Sequence, residues 1–388
     1  GKHMTIDIDE KYLIDTLQEL VKIDSTNPTL AVENAGEGQI AAALAQRATD
    51  LGLQVAVDEV APGRPNVVAV LKGQGGGRSL MINGHTDTVG VEGMPEPFSA
   101  SIRDGKLYGR GAQDMKASLA AMLAAAKAIH DAGITLSGDL ILTFVIDEEA
   151  LSEGTAAIVK QYRADAAIVT EPTDLTITRA HRGFIWFEVE TFGRAAHGSR
   201  YNEGIDANMR MGRFLAQLEE LEKELRARPP HPLAGPPSLH ASIIRGGSEV
   251  SIYASHCKLT IERRTIPGET IASAQAELQA IIDRLAAEDE TFKATVQATF
   301  ERSPFQIDEN AAVVRLLAQK TGERLGRQPV HTGQTFWTDA SLLDAAGIET
   351  VLIGPAGAGL HSAEEWVDLD STIDLAHILA TTAAAYCR

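Results

Sequence analysis

Cysteine is nearly missing from this chain: Cys257 and Cys387 are the two among 388 residues. That excludes a disulfide framework, and with no Cys-x-x-Cys spacing near either, it excludes a cysteine-based structural zinc site or dithiol redox motif as well. A reducing, cytoplasmic compartment fits such usage. No apolar run reaches the roughly 18 residues needed to span a bilayer, so no membrane partner is expected. The N-terminus lacks the basic-then-apolar pattern of an export signal, and residues 1–4 read as a cloning remnant. Positive charge is in deficit, 35 Lys and Arg against 53 Asp and Glu for a net charge of -18, which leaves no basic footprint for nucleic acid. There is no internal repeat. The Pro-rich stretch 229–237 reads as a loop, and Gly73 to Gly77 as a turn that lacks the Gly-Lys-Ser/Thr ending of a phosphate cradle.

What is present is an ordinary apolar share, 44%, which marks a folded protein with an acidic surface. At 388 residues it exceeds a single core, so two domains are expected. Apolar residues recur at helical spacing over 12–53, broken by Ser25, Thr26, Asn27 and Pro28. Short strand-like runs at 67–71 and 79–83 lead to an Ala-rich helix over about 115–132, and further strands are expected at 139–146 and 166–169. Beyond Arg179 the order becomes strand, helix, strand, strand, helix, strand (184–191, 205–226, 238–244, 258–264, 271–286, 291–300), a βαββαβ pattern of the ferredoxin-like kind. α/β character returns with a helix at 311–321, a run at 350–353 and a C-terminal helix after Asp370. The expected fold is therefore α/β, a catalytic domain of residues 5–179 and 301–388 interrupted by an α+β insertion of residues 180–300.

Chemistry collects at the ends of these elements. Met81-Ile-Asn-Gly-His-Thr-Asp87 closes a strand with His85 and Asp87 two positions apart, so on extended backbone both point to one face. A metal ion could sit against His85 while Asp87 fixes the imidazole's orientation and tautomer. Asp114 stands at a glycine-rich turn before the Ala-rich helix, Asp147-Glu148-Glu149 follows a strand, Glu171 precedes Pro172, and His361 lies in a glycine-rich segment. Taken singly these have ordinary readings: a strand-end histidine, a helix N-cap, a solvated acidic loop, a loop acid, a loop histidine. Together, His85, Asp114, Glu149, Glu171 and His361 fall where an open α/β sheet gathers its ligands, as one divalent-metal site with buried carboxylates requires. Adjacent side chains in the acidic triplet diverge, so one can bind metal while the other faces substrate and water.

The order and wording of these motifs resemble the metallopeptidase family of acetylornithine deacetylase, succinyl-diaminopimelate desuccinylase, aminoacylase-1 and carboxypeptidase G. The resemblance runs across nearly the whole chain. It rests on Gly84-His-Thr-Asp87, Gly109-Arg-Gly-Ala-Gln-Asp-Met-Lys116, Asp147-Glu-Glu149, Thr170-Glu-Pro-Thr173, Ala196-His-Gly-Ser199, Arg263-Arg-Thr-Ile-Pro-Gly268 and Gly359-Leu-His361. It implies two Zn2+ per subunit, with Co2+ or Mn2+ compatible with the same ligands. Asp114 would bridge them, His85 and Glu171 completing one and Glu149 and His361 the other, with a water between. Glu148 would be the general base, His197 would reach an active site across a homodimer to stabilise an oxyanion, and Arg264 would bind the substrate's carboxylate. The insertion would serve as lid and dimerisation domain. Two departures stand out: Ala117 replaces the usual glycine after Asp-Met-Lys, and Ser251 replaces the asparagine that many relatives place near the substrate carboxylate. The implied activity is hydrolysis of the amide bond of a small N-acyl amino acid. The alternatives are a metallo-carboxypeptidase or dipeptidase acting on a short peptide, and, more distantly, a non-catalytic metal-binding protein.

Overall fold

Four short apolar runs, Leu80–His85, Leu140–Val145, Ala166–Val169 and Glu349–Leu352, lie parallel to one another. The first three are buried at every position, which is why they read as continuous hydrophobic stretches and not as alternating ones. In the computed structural model, which describes residues 5–388, they form the centre of a mixed sheet. The reading of residues 1–4 lies outside the described residues. Arg64–Leu71 adds antiparallel to Leu140–Val145, and Gln54–Ala61 adds antiparallel at that edge. On the far side Leu352 pairs with Thr178 of Ile177–His181.

Alternate residues of these strands face two layers. Val67, Ala69, Leu80, Ile82, Leu140, Leu142 and Phe144 share one core with the helices Glu10–Lys22, Gly38–Asp50, Ala117–Asp131, Ala312–Leu325 and Leu369–Tyr386. The helices Glu153–Gln161 and Ala340–Ala345 pack on the remaining elements. This compact unit comprises residues 5–179, Ile307–Thr332 and Thr338–Arg388. The second unit comprises Ala180–Gln306 with Gly333–Trp337. It runs in the order Gly183–Phe192, helix Ala207–Ala227, Ser238–Gly246, His256–Thr265, helix Ile271–Glu288, Lys293–Arg302. The strands lie in the order Ser238–Gly246, His256–Thr265, Gly183–Phe192, Lys293–Arg302, all antiparallel, the ferredoxin-like arrangement.

Sequence patterning misses Ile177–His181 and Ala340–Ala345, misses two further elements for a plain physical reason, and places the start of the Ala-rich helix too early. Gln54–Ala61 carries Gln54, Asp58 and Glu59 on a sheet edge and offers no continuous apolar run. Glu153–Gln161 buries only Gly154, Thr155 and Ile158, too thin a stripe to stand out. The Ala-rich helix begins at Ala117 and not near Met115, because Asp114 (φ -117°, ψ 88°) and Met115 (φ -141°, ψ 39°) are non-helical. That irregular turn is what presents Asp114 sideways to the sheet edge, so the N-cap reading of Asp114 does not apply.

Gly84, one residue before His85, is pressed against this helix: a Cβ there would lie 2.7 Å from Leu119 Cδ2 and 2.8 Å from Met115 Cε. Met115 Sδ in turn receives the His85 N–H at 3.2 Å. Gly84→Ala is expected to lower the unfolding free energy by about 1–3 kcal/mol through overpacking, read from urea denaturation. An unchanged midpoint would show that the two side chains simply move aside.

Candidate metal centre

The parallel strands end at one edge, and each hands an acid or an imidazole to it. Leu80–His85 ends in His85, Leu140–Val145 leads to the Asp147-Glu148-Glu149 turn, and Ala166–Val169 leads to Glu171. The irregular turn supplies Asp114 and the segment after Gly357–Ala358 supplies His361 at φ 57°. Ligand atoms of His85, Asp114 and Glu171 lie within 4.8 Å of one another, as do those of Asp114, Glu149 and His361. His85, Glu148 and Glu149 form a third such group. All five expected ligands and Glu148 thus converge.

Asp114 sits at the centre. Its Oδ1 is 3.0 Å from His85 Nε2 and its Oδ2 is 3.2 Å from His361 Nε2. Glu171 Oε1 stands 3.2 Å from His85 Nε2, and Glu149 Oε1 stands 3.2 Å from His361 Nε2. One carboxylate thus faces two imidazoles, each with its own second carboxylate, which is the donor set of two adjacent cation sites sharing a ligand. The His85 orientation follows from its other nitrogen: Nδ1 lies 2.9 Å from the Asp87 carbonyl oxygen, which can only accept, so Nδ1 carries a proton and Nε2 is the nitrogen turned into the cluster.

The electrostatics require positive charge here. Burial and the neighbouring Asp114 push Glu149 up to about 8. Burial, opposed by the charge of His85 and reinforced by Asp114, leaves Glu171 at about 7. Burial and Glu171 lift Glu148 well above the usual carboxylate range. Burial would lower His85, yet Glu171 and Glu148 hold it well above an ordinary imidazole. His361 is raised to about 10 by its hydrogen bonds to Asp114 and Glu149. Acids that hold protons near neutrality, imidazoles that will not release theirs, and lone pairs all converging on the same points fit divalent cations, whose charge would replace those protons.

Asp87 has a second use that the sequence does not advertise. Its Oδ1 accepts the N–H of Glu148 and its Oδ2 that of Glu149, both at 3.1 Å, so it fixes the backbone of the acidic turn as well as standing 3.3 Å from His85 Nδ1. Asn27 Nδ2 joins Asp87 Oδ2 (2.8 Å) to Asp147 Oδ1 (2.9 Å). Asp147, buried with φ 70°, is held further by Arg64 Nη2 at 3.1 Å and donates its N–H to Glu37 Oε2 at 3.0 Å. Arg64 Nε and Nη2 grip the Glu37 carboxylate at 2.8 Å each, a bidentate pair inside the fold. Glu365 does the same service for Asp114: its carboxylate accepts the N–H groups of Gly111 (3.0 Å), Gln113 and Asp114 (2.9 Å each), and pairs with Arg110 at 2.9 Å. Asp339, also buried, accepts Thr155 Oγ1 at 2.7 Å, and burial raises it to about 6. Sequence reasoning passed over Glu37, Arg64, Asp339 and Glu365 because their partners lie tens to hundreds of positions away. The one legible signal was Glu365 four residues after His361.

His197, Ser251 and Arg264 belong to the second unit. His197 is exposed, with Nδ1 2.7 Å from Ser199 Oγ. Ser251 lies beside it, its carbonyl accepting the Gly198 N–H at 2.7 Å. Arg264 projects from the sheet with Nε 2.7 Å from Glu262. Its neighbour Arg263 points into the helices, where Glu269 and Glu277 pair with it, in a structural role.

Two parallel-strand loops and a shared aspartate define a candidate two-cation centre on a mixed α/β fold. The sequence profile of peptidase family M20/M25/M40 matches residues 81–385, and the chain belongs to that family. It is 29% identical over 383 residues to acetylornithine deacetylase of Myxococcus xanthus (96% of this chain, 97% of the relative). It is 30% identical over 370 residues to N-formyl-4-amino-5-aminomethyl-2-methylpyrimidine deformylase of Bacillus subtilis, covering 87% of each. The fold is shared with aminopeptidase PepT of Bacillus cereus (TM-score 0.80, 21% identity, 98% of this chain and 100% of the other). It is shared too with a dinuclear metal-binding M20 peptidase of Bacillus subtilis (TM-score 0.76, 16% identity, 97% and 98%). The protein is accordingly a hydrolase of amide or peptide bonds. Among the described residues no helix is long and apolar enough to cross a membrane.

Because Glu171 and Glu149 hold protons up to about 7 and about 8, and His361 up to about 10, cation binding at pH 7 must displace protons. Affinity for zinc is expected to rise with pH through this range, by about tenfold per unit for each proton released. Calorimetry in buffers of different ionisation enthalpy checks it. A pH-independent affinity would mean that the carboxylates are already ionised.

Proposed function

We propose that the protein hydrolyses the amide bond of small N-acyl amino acids, using two metal ions held by His85, Asp114, Glu149, Glu171 and His361. The observation that carries this reading is the division of Asp114 between two imidazoles, each with its own second carboxylate; with those five assigned to metal, Glu148, 3.5 Å from His85 Nε2, is the acid we assign to the water. Zinc, or cobalt or manganese on the same nitrogen and oxygen donors, would polarise the scissile carbonyl and acidify water there. Glu148 takes the proton of the attacking water: its carboxylate is kept basic by burial and by Glu171, and its backbone is fixed by Asp87. The same side chain then hands that proton to the departing amine. Asp87 keeps His85 in the tautomer that leaves Nε2 free. His197 serves as the donor to the developing oxyanion, with Ser251 beside it assigned to substrate contact, and Arg264 receives the free carboxylate in its planar fork.

Two relatives named for removing an acyl group from nitrogen, acetyl in one and formyl in the other, favour deacylation over carboxypeptidase or dipeptidase action. The second unit is proposed as lid and dimerisation domain of a homodimer. Its sheet ends on one side at Ser238–Gly246, an edge strand that exposes Ile243 and Ile244, which a second copy would cover. Both cysteines are free and buried, in keeping with a cytoplasmic location.

Glu148→Ala is expected to reduce turnover of N-acetyl, N-succinyl and longer N-acyl amino acids by at least about 100-fold while leaving metal content intact. Wild-type turnover should vanish with chelator and return with zinc or cobalt. Loss of metal from the folded variant would instead make Glu148 a ligand, and a preference for dipeptides across the same panel would move the assignment to a peptidase. His197→Ala should impair turnover without metal loss, and mixing it with Glu148→Ala protein should restore part of it if the histidine acts across the dimer. No recovery after verified subunit exchange would place its action within one chain.

A further inference from the structure

The four-stranded sheet of the second unit has one face covered by its helices, through Ile185, Phe187, Val189 and Ile261. The opposite face is where an aqueous sheet ordinarily turns polar, yet it carries Phe184, Trp186 and Phe300. Their ring centroids are 5.5 Å (Phe184 to Trp186), 5.9 Å (Phe184 to Phe300) and 4.9 Å (Trp186 to Phe300) apart. Trp186 remains 38% exposed. Register places them in two adjoining rows across three strands: Arg264, Phe184, Arg302 in one, and Glu262, Trp186, Phe300 in the next. Arg264 lies 5.5 Å over the Phe184 ring and Arg302 4.4 Å over the Phe300 ring.

Charge on this patch is lopsided. Its one carboxylate, Glu262, is already engaged, taking the Trp186 indole N–H at 2.9 Å and Arg264 Nε at 2.7 Å. That contact pins Arg264 through Nε. No hydrogen bond among the described residues uses its Nη1 or Nη2, so the outer edge of the guanidinium is left to a ligand. Arg182 adds a further cation, held below the usual guanidinium range by burial and by the charge of Arg264.

We propose that this face is the recognition platform for the amino-acid half of the substrate, selecting a large apolar or aromatic side chain beside a free carboxylate. The inference rests on the reading of Arg264 as the carboxylate anchor. An amino acid carries its carboxylate and its side chain on the same carbon, whereas the acyl group is set apart by the amide. Whatever Arg264 binds by its carboxylate therefore brings the side chain, not the acyl group, to the ring directly opposite, since cross-strand neighbours stand about 5 Å apart. Phe184 is that ring, with Trp186 and Phe300 extending it. A cationic side chain such as that of ornithine meets like charge from Arg264, Arg302 and Arg182 and finds no unpaired acid. An acidic side chain would meet the same cations attractively, but a solvent-exposed ion pair contributes little and the rings give it nothing to bury against. A flat apolar group meets three rings.

The test is calorimetric binding of N-acetyl-L-phenylalanine, N-acetyl-L-alanine, N-acetyl-L-ornithine and N-acetyl-L-glutamate to the full-length chelated protein, followed by turnover of the same four with zinc restored. The phenylalanine derivative is expected to bind at least about tenfold more tightly than the others. Trp186→Ala should remove that advantage, Trp186→Phe should keep most of it, and Phe300→Leu should reduce it, each read as the ratio of N-acetylphenylalanine to N-acetylalanine affinity on the same protein. The platform is overturned if the ornithine or glutamate derivative binds as tightly as the phenylalanine one, if none binds, or if folded Trp186→Ala keeps the preference. Equal turnover of all four without a binding preference would keep the amidohydrolase and lose the platform. Selective binding of N-acetylphenylalanine with no turnover would keep the platform and lose the amidohydrolase.

Discussion

Mutual repulsion among buried carboxylates is the constraint around which the larger unit is built. Asp114, Glu148, Glu149 and Glu171 face a common space with Asp339 close behind, and each raises the cost of ionising another. Left to itself such a pocket would take up protons or spread apart. The fold prevents the second outcome: rigid parallel strands deliver three of the acids, and the irregular turn before the Ala-rich helix delivers the fourth. Divalent cations resolve the first, and protons and cations become competitors for the same atoms.

Holding the acids in place takes a shell of further acids and amides. Asp87 binds the amides of the Glu148 turn, Glu365 binds the amides of the Asp114 turn, and Glu37 binds the amide of Asp147. Each brace is itself a carboxylate, so part of the net charge of -18 is interior. Arg64 and Arg110 balance two of the three, and Asn27, which is neutral, ties Asp87 to Asp147. A metal centre of this kind is therefore specified by more residues than touch metal.

The α/β class and the order of the central strands were legible because each strand is a short apolar run, a local pattern; the meeting of His85, Asp114, Glu149, Glu171 and His361 was an expectation from the joint order of their motifs and the family resemblance, since Asp114 and His361 follow glycine-rich segments. The βαββαβ order was legible for the same reason, through the change of period after Arg179. Gln54–Ala61 was not, since an edge strand needs no continuous apolar face. Glu365 and Arg64 were not, since their meaning is set by partners that only the folded chain supplies. The aromatic rows of the second unit escaped notice because Phe300 comes from a different strand than Phe184 and Trp186, and register, which brings them together, cannot be read from spacing along one chain.

The brace between Glu365 and the turn at Asp114 also has a temporal side. The turn is made early in synthesis, whereas the carboxylate that orders its three amides, and the imidazole of His361 just before it, emerge near the end. A nascent chain can collapse its central strands first, yet until residues 361–365 arrive it has one imidazole, an unsupported aspartate and a cluster of acids still able to hold protons. Cation loading is then an event that waits for residues 361–365, after every other ligand is already in place.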